Sequence, residues 1–294
     1  MVPTDLTLQV PWGHVSALSW GLSSRPGVLL VHGTQDNAGS FTRLIQLLPP
    51  TFHYVAIDLP GHGFSSHFPQ GMNLDFFNFV LTIQYVLNEL KWKNCFYIGH
   101  SFGGTLGVMF SILFPGRLQK IVTVDSLIPV AYEYEQVPDR LKTVFDATLF
   151  DLQRKEPTLY TREQVLDAIM NKRQFSLSRE AAEALIVRAV TQVGDKYRYN
   201  RDVRMRAHVG LYFVEGQNFE FLKRLRTPVM VIVAKNSWFG LVNKLPVVMM
   251  YAKKFSDVLT LVHVDGNHDV HNNNPERVAP HVLSFFGNGT TSKL

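Results

Sequence analysis

The sequence predicts an α/β fold, a mostly parallel sheet flanked by helices, with a helical cap inserted after the sixth strand. Three observations carry this. Short continuous apolar runs alternate with segments of helical period over residues 27 to 126, and again over 228 to 286. Strands alternating with helices build a parallel sheet covered on both faces. Between those blocks, residues 130 to 225 are charged, helix-forming and poor in β-branched runs, so an insertion interrupts the alternation. Finally, "CFYIGHSFGGTLGVMF" (95 to 110) sets a serine hemmed in by glycines at the junction of two apolar segments.

Each element follows in order. Residues 5 to 22 alternate and contain Trp and Gly, as a β-hairpin does. "GVLLVHG" (27 to 33) is a continuous apolar run suited to a strand buried on both faces, and "HYVAIDLPGHG" (53 to 63) repeats that form. "FNFVLTIQYVLNELKW" (77 to 92) has helical spacing. "CFYIG" is a strand, "GTLGVMFSILFP" a helix stopped at Pro115, and "LQKIVTVDS" (118 to 126) the sixth strand. Alternation resumes with the strand "PVMVIVA" (228 to 234), a helical stretch, the strand "VLTLVHVDG" (258 to 266) and a last helix, "PERVAPHVLSFF" (275 to 286). The expected division is a core over 1–129, a helical cap over 130–225, the second part of the core over 226–287 and an exposed tail over 288–294. No internal repeat or low-complexity segment is present.

Composition narrows the classes of function. Of 294 residues, 46% are hydrophobic and 18% charged, which suits a chain with a real core rather than disorder. The single cysteine, Cys95, excludes an internal disulfide framework and a cysteine-based zinc site, and its apolar surroundings suggest a buried thiol. The formal charge of +5 is scattered. Its densest stretch, "KYRYNRDVRMR" (196 to 206), is broken by Asp202 and reads as a solvated or ion-paired face rather than a nucleic-acid patch. No apolar run reaches the ~18 uncharged residues of a membrane span. "MVPTDLTLQV" lacks the basic-then-apolar plan of a signal peptide. No phosphate-cradling loop, nucleotide fingerprint or metal-ligand spacing appears, so no cofactor is expected. The terminal Ser292-Lys293-Leu294 matches the tripeptide read by the peroxisomal import receptor, so a peroxisomal location is expected, with the cytoplasm as the fallback.

The chemistry centres on Gly99-His100-Ser101-Phe102-Gly103, a G-x-S-x-G turn between strand and helix. The tight turn needs small neighbours two positions away, and the following helix points its positive end at the serine. An acyl-transfer serine also needs two backbone donors for the developing oxyanion. Phe102 N–H supplies one, and "VHGTQDN" (31 to 37) places Thr34 N–H as the other. The base is expected after the last strand, where "VDGNHDVH" offers His268, with His271 as fallback; His32, His62 and His100 read as structural. The acid is usually found after the strand "PVMVIVA", but "KNSWFGLVNK" (235 to 244) has no Asp or Glu. Asp125, ending "KIVTVDS", is the substitute, because a neighbouring strand end can also face the histidine. Asp269 is adjacent to His268 and badly aimed at it. Asn236 could orient an imidazole without offsetting its charge.

The chain resembles the α/β-hydrolase superfamily, and within it the serine hydrolase-like (kraken-like) proteins of animals. The matching stretches are "VPWGHVSALSWG", "VHGTQDNAGSFTRLIQLLP", "YVAIDLPGHGFSSH", "LKWKNCFYIGHSFGG", "YNRDVRM" and "GNHDVH", in order along nearly the whole chain. The resemblance implies an α/β-hydrolase fold with a helical cap, and a Ser-Asp-His site in which Ser101 is the nucleophile and His268 the base. Some members are peroxisomal. Where such proteins tend to have an aspartate after an aromatic pair, this chain has Trp238-Phe239-Gly240, so that carry-over fails. Haloalkane dehalogenases and epoxide hydrolases need an aspartate at the elbow, which Ser101 argues against, although the former place a carboxylate where Asp125 falls. The expected function is hydrolysis of a small apolar ester, thioester or related acyl substrate through an acyl-enzyme. The alternative is a catalytically impaired hydrolase fold that binds a small hydrophobic ligand or partner.

Overall fold

The computed structural model describes residues 1–129, 131–153, 157–207 and 213–287. The Ser292-Lys293-Leu294 tripeptide lies outside them. Eight strands form one sheet in the order β1-β2-β4-β3-β5-β6-β9-β10. They are β1 (Thr4–Val10), β2 (Gly13–Trp20), β3 (Gly27–Val31), β4 (His53–Ile57), β5 (Cys95–His100), β6 (Leu118–Val124), β9 (Val229–Asn236) and β10 (Leu259–Asn267). The β1–β2 hairpin is antiparallel and joins antiparallel to β4; every pairing from β4 to β10 is parallel.

The continuous apolar runs have a direct cause. In β3 and β4 every residue is buried, because helices cover both faces of the sheet. Period-two alternation sends Leu29 and Val31 into one core layer and Val28 and Leu30 into the other. Helix α1 (Phe76–Glu89) starts at Asp75, whose carboxylate accepts from Phe77 and Asn78 N–H. It buries Phe76, Phe79, Val80, Ile83, Val86 and Leu87 as one stripe, with roughly 9–18 kcal/mol of apolar burial as an upper estimate. Helix α2 (Phe102–Leu113) is buried over most of its length between β5 and its neighbours, so it reads as apolar all round.

The insertion contains helices α3 (Val137–Gln153), α4 (Arg162–Asn171) and α5 (Arg179–Ala189), the last two packed on a small core of their own. It also holds a feature absent from the helical expectation, a hairpin of β7 (Val190–Val193) and β8 (Lys196–Tyr199). The Gly194-Asp195 loop between them is a hairpin signal, weakened because each strand has only four residues. In the "KYRYNRDVRMR" stretch Lys196, Arg198 and Arg201 are exposed, and the ion-paired part is buried. Asp202 and Arg204 are each 2% exposed and paired at 2.6 Å, with Arg204 also donating to the Phe68, Pro69 and Met72 carbonyls. A sequence shows the charges there but not the carbonyls that accept from them. Cys95 is buried, its thiol pushed up to about 12. No helix among the described residues is long and apolar enough to cross a membrane.

Candidate active site

Strand β5 ends at His100, and Ser101 turns the chain into α2 with φ 50° and ψ −118°. That conformation is costly for an L-residue and persists only where its surroundings enforce it. Ser101 N–H is held by the Val124 carbonyl at 3.0 Å. The flanking glycines are steric requirements. A Cβ on Gly99 would sit 2.5 Å from Gly104 Cα, and one on Gly103 would sit 2.0 Å from the Val31 carbonyl oxygen. Gly103→Ala is therefore expected to cost roughly 3 kcal/mol, read as a melting temperature roughly 6–12 °C lower. A shift of under 2 °C would contradict this.

The candidate acid follows the next strand in the sheet. Asp125 follows β6 with φ 51°, its N–H bonded to the Ile232 carbonyl at 2.7 Å. Its carboxylate is fully buried and accepts from Ala234 N–H (3.3 Å), Trp238 N–H (2.7 Å) and His268 Nδ1 (2.6 Å). The Nδ1–H of His268 is thus committed to Asp125, which leaves Nε2 as the acceptor. His268 follows a register shift at the end of β10, and its ring lies near those of Phe175 (5.3 Å) and Trp238 (6.0 Å). Asn236 and Gly240 are exposed and do not line the cavity that holds Ser101 and His268. Of the acid candidates, Asp125 alone bonds the imidazole.

Both expected oxyanion donors border the same cavity. Thr34 follows Gly33, where a Cβ would lie 3.0 Å from Ser101 Cβ, so the loop after β3 runs directly past the serine. Among the described residues neither Thr34 N–H nor Phe102 N–H is spent on a hydrogen bond. Ser101 and His268 both line the cavity, with no hydrogen bond between them among the described residues, a contact that commonly tightens only when substrate is held.

A sequence profile of the alpha/beta hydrolase fold matches residues 26–275. The chain belongs to the α/β-hydrolase family. It is 34% identical to a serine hydrolase-like protein of Danio rerio over 96% of this chain and 88% of that one. It is 33% identical to the human serine hydrolase-like protein 2, over 96% and 94%. Among solved structures, a hypothetical protein of Pseudomonas aeruginosa PAO1 superposes with a TM-score of 0.86 at 26% identity, over 96% of this chain and 99% of that one. The thioesterase domain from the curacin biosynthetic pathway gives 0.81 at 21% over 96% and 100%, a likeness of fold.

The other histidines of this hydrolase take up places in its frame. His32 donates to the Gly33 carbonyl and accepts from Leu59 N–H; His62 donates to the Pro60 carbonyl and accepts from Gln35 N–H. His100 donates from Nε2 to the His268 carbonyl at 3.0 Å, and His271 stacks on it with ring centroids 4.0 Å apart. His271 is fully buried and outside the cavity, so the fallback base is not brought to the serine. Burial holds all four rings neutral, His32 down to about 4, His62 and His271 down to about 3, and His100 well below the usual range.

One group near the serine has no local sequence signal. Asp36, His100 and Asp269 offer ligand atoms within 4.8 Å of one another, close enough for a metal. Yet both carboxylates are taken by Arg173 of the insertion, at 2.6 Å to Asp36 and 3.0 Å to Asp269. The ion pairs span 137 and 96 residues of sequence. Burial alone would push Asp36 up, and the Arg173 charge and hydrogen bond more than reverse it. Asp269 has the longer contact and two carboxylates nearby, so burial prevails and lifts it to about 6.

The cavity over Ser101 measures about 770 Å³, within the range of small-molecule sites. The expected apolar pocket needs correction. The insertion lines it with Tyr160, Ile169 and Phe175, but also with Lys172, Arg173 and Arg201. Arg173, in the loop after α4, is 24% exposed and turned to the cavity, while Lys172 and Arg201 reach its rim from exposed positions.

Proposed function

We propose that this hydrolase cleaves a carboxylic ester or thioester through an acyl-enzyme on Ser101. The observation that carries the reading is the 2.6 Å contact between buried Asp125 and His268 Nδ1, beside a serine in a strained elbow. His268 Nε2 takes the Ser101 proton as Oγ attacks the acyl carbon, and returns it to the departing alcohol or thiol. Asp125 holds the tautomer and offsets the imidazolium charge. Thr34 and Phe102 N–H groups, with the positive end of α2, receive the oxyanion. Water then repeats the attack on the acyl-enzyme with the same base. The impaired-enzyme alternative drew on Gly240; a bonded carboxylate at Asp125 removes that motive. A cavity of mixed lining favours substrates with a polar portion beside the acyl chain.

Labelling with a fluorophosphonate probe tests this. The native chain should label, Ser101→Ala should not, and p-nitrophenyl esters should be turned over by the native chain alone. A folded native chain that neither labels nor turns over these esters would leave the ligand-binding alternative in its place.

A further inference from the structure

Arg173 stands where three parts of the molecule meet. Asp36 closes, through its N–H to the Gly33 carbonyl at 3.2 Å, the turn that contains Thr34. Asp269 directly follows His268. Arg173 itself belongs to the loop between α4 and α5 of the insertion. That loop is stitched to the base-bearing segment by Asn267 and Asn273 side chains donating to the Ser176 carbonyl (2.8 and 3.0 Å), and by Ser178 N–H donating to Asn273 Oδ1 (2.8 Å). Phe175, two residues from Arg173, lays its ring on His268 with centroids 5.3 Å apart.

We propose that Arg173 is a positioning residue: its guanidinium spans Asp36 and Asp269, and so fixes the oxyanion loop, the base and the cap loop in one geometry. The proposal rests on the acyl-enzyme reading. The planar fork gives each carboxylate its own nitrogen at a fixed spacing, whereas an ammonium is a point charge with no such rigid frame. At 24% exposed, Arg173 is shielded enough that its ion pairs are weakly screened. The buried carboxylates would repel each other without it. Displacing reacting groups by about 1 Å costs roughly 100-fold in rate, so the bridge should act on the chemical step more than on binding.

The test compares the native chain with Arg173→Met, Arg173→Lys and the charge-balanced triple variant Asp36→Asn/Arg173→Met/Asp269→Asn. The fluorophosphonate labelling rate and kcat for p-nitrophenyl acetate should fall roughly 10- to 100-fold in Arg173→Met and in the triple variant, with KM within about twofold. Arg173→Lys should restore only part of the loss. Hydrogen exchange in peptides covering residues 31–41 and 266–274 should quicken in both Met variants, a readout that needs no turnover. The triple variant carries no unpaired buried charge, so it decides the matter if Arg173→Met does not fold. A folded triple variant with native labelling and native exchange would overturn the proposal, leaving Arg173 as a charge balance only. If the native chain itself fails to label, the acyl-enzyme reading falls, and unchanged exchange then overturns the bridge separately.

Discussion

Asp125→Asn is expected to slow fluorophosphonate labelling of Ser101 by about 10⁴-fold while leaving the fold intact, the loss typical when a triad aspartate becomes asparagine. The cause lies in the donors around the carboxylate. Oδ2 accepts from both His268 Nδ1 and Trp238 N–H, and Oδ1 accepts from Ala234 N–H. All three partners are donors, so an acceptor-only group suits the site. An asparagine must turn its NH₂ toward one of them. Facing Nδ1, it favours the tautomer with the proton on Nε2, which cannot accept the serine proton. The same NH₂ leaves Trp238 N–H without an acceptor, and an NH₂ in the place of Oδ1 strands Ala234 N–H instead, each at a cost of about 1–3 kcal/mol. The measurement is the second-order labelling rate of the variant beside its melting curve. Native-rate labelling by a folded Asp125→Asn would remove Asp125 from the mechanism and leave Ser101 and His268 as a dyad.

Much of this arrangement can be read in the sequence, for physical reasons that also mark where reading stops. The buried parallel strands show as continuous apolar runs because both faces of the sheet are covered. The elbow shows because Gly99 and Gly103 have no room for a Cβ. Asp125 could be nominated because β6 lies between β5 and β9, so its end falls beside the serine strand and the loop where the acid was missing. The insertion was the opaque part. The β7–β8 hairpin has too few residues to develop a period. The Arg173 bridge joins residues that only folding brings together. Arg204 and Arg173 are both charges in a polar-looking segment, and burial that no local pattern encodes separates them from the solvated ones.

The second large effect is on stability. The protein is expected to lose stability in mild acid, by at least about 4–5 kcal/mol between pH 7 and pH 5. His32, His62 and His271 are held neutral by burial, at about 4, 3 and 3, and His100 is shifted the same way. In the unfolded chain each takes up its proton near pH 6.5. A base lowered in the folded state contributes fully above the unfolded value, and its contribution is lost as pH falls from there toward the folded value. At pH 5 His32, His62 and His271 have each forfeited about 2 kcal/mol, and His100 acts in the same direction. Asp269, pushed up to about 6, has the opposite sign: below that pH the folded carboxyl holds a proton the unfolded one has released, which returns on the order of 1 kcal/mol. At least about two protons are therefore taken up on unfolding near pH 5, a slope of about 3 kcal/mol per pH unit or more. Domains typically have 5–15 kcal/mol in total, so about a third of a large total, and most of a marginal one, should be gone at pH 5. Urea unfolding at pH 7.5, 6 and 5 gives the slope directly. His271→Leu, which removes a ring whose nitrogens have no protein partner, should reduce it by about one proton. An unfolding free energy that stays level from pH 7.5 to 5 would mean that these histidines already carry their protons in the folded protein.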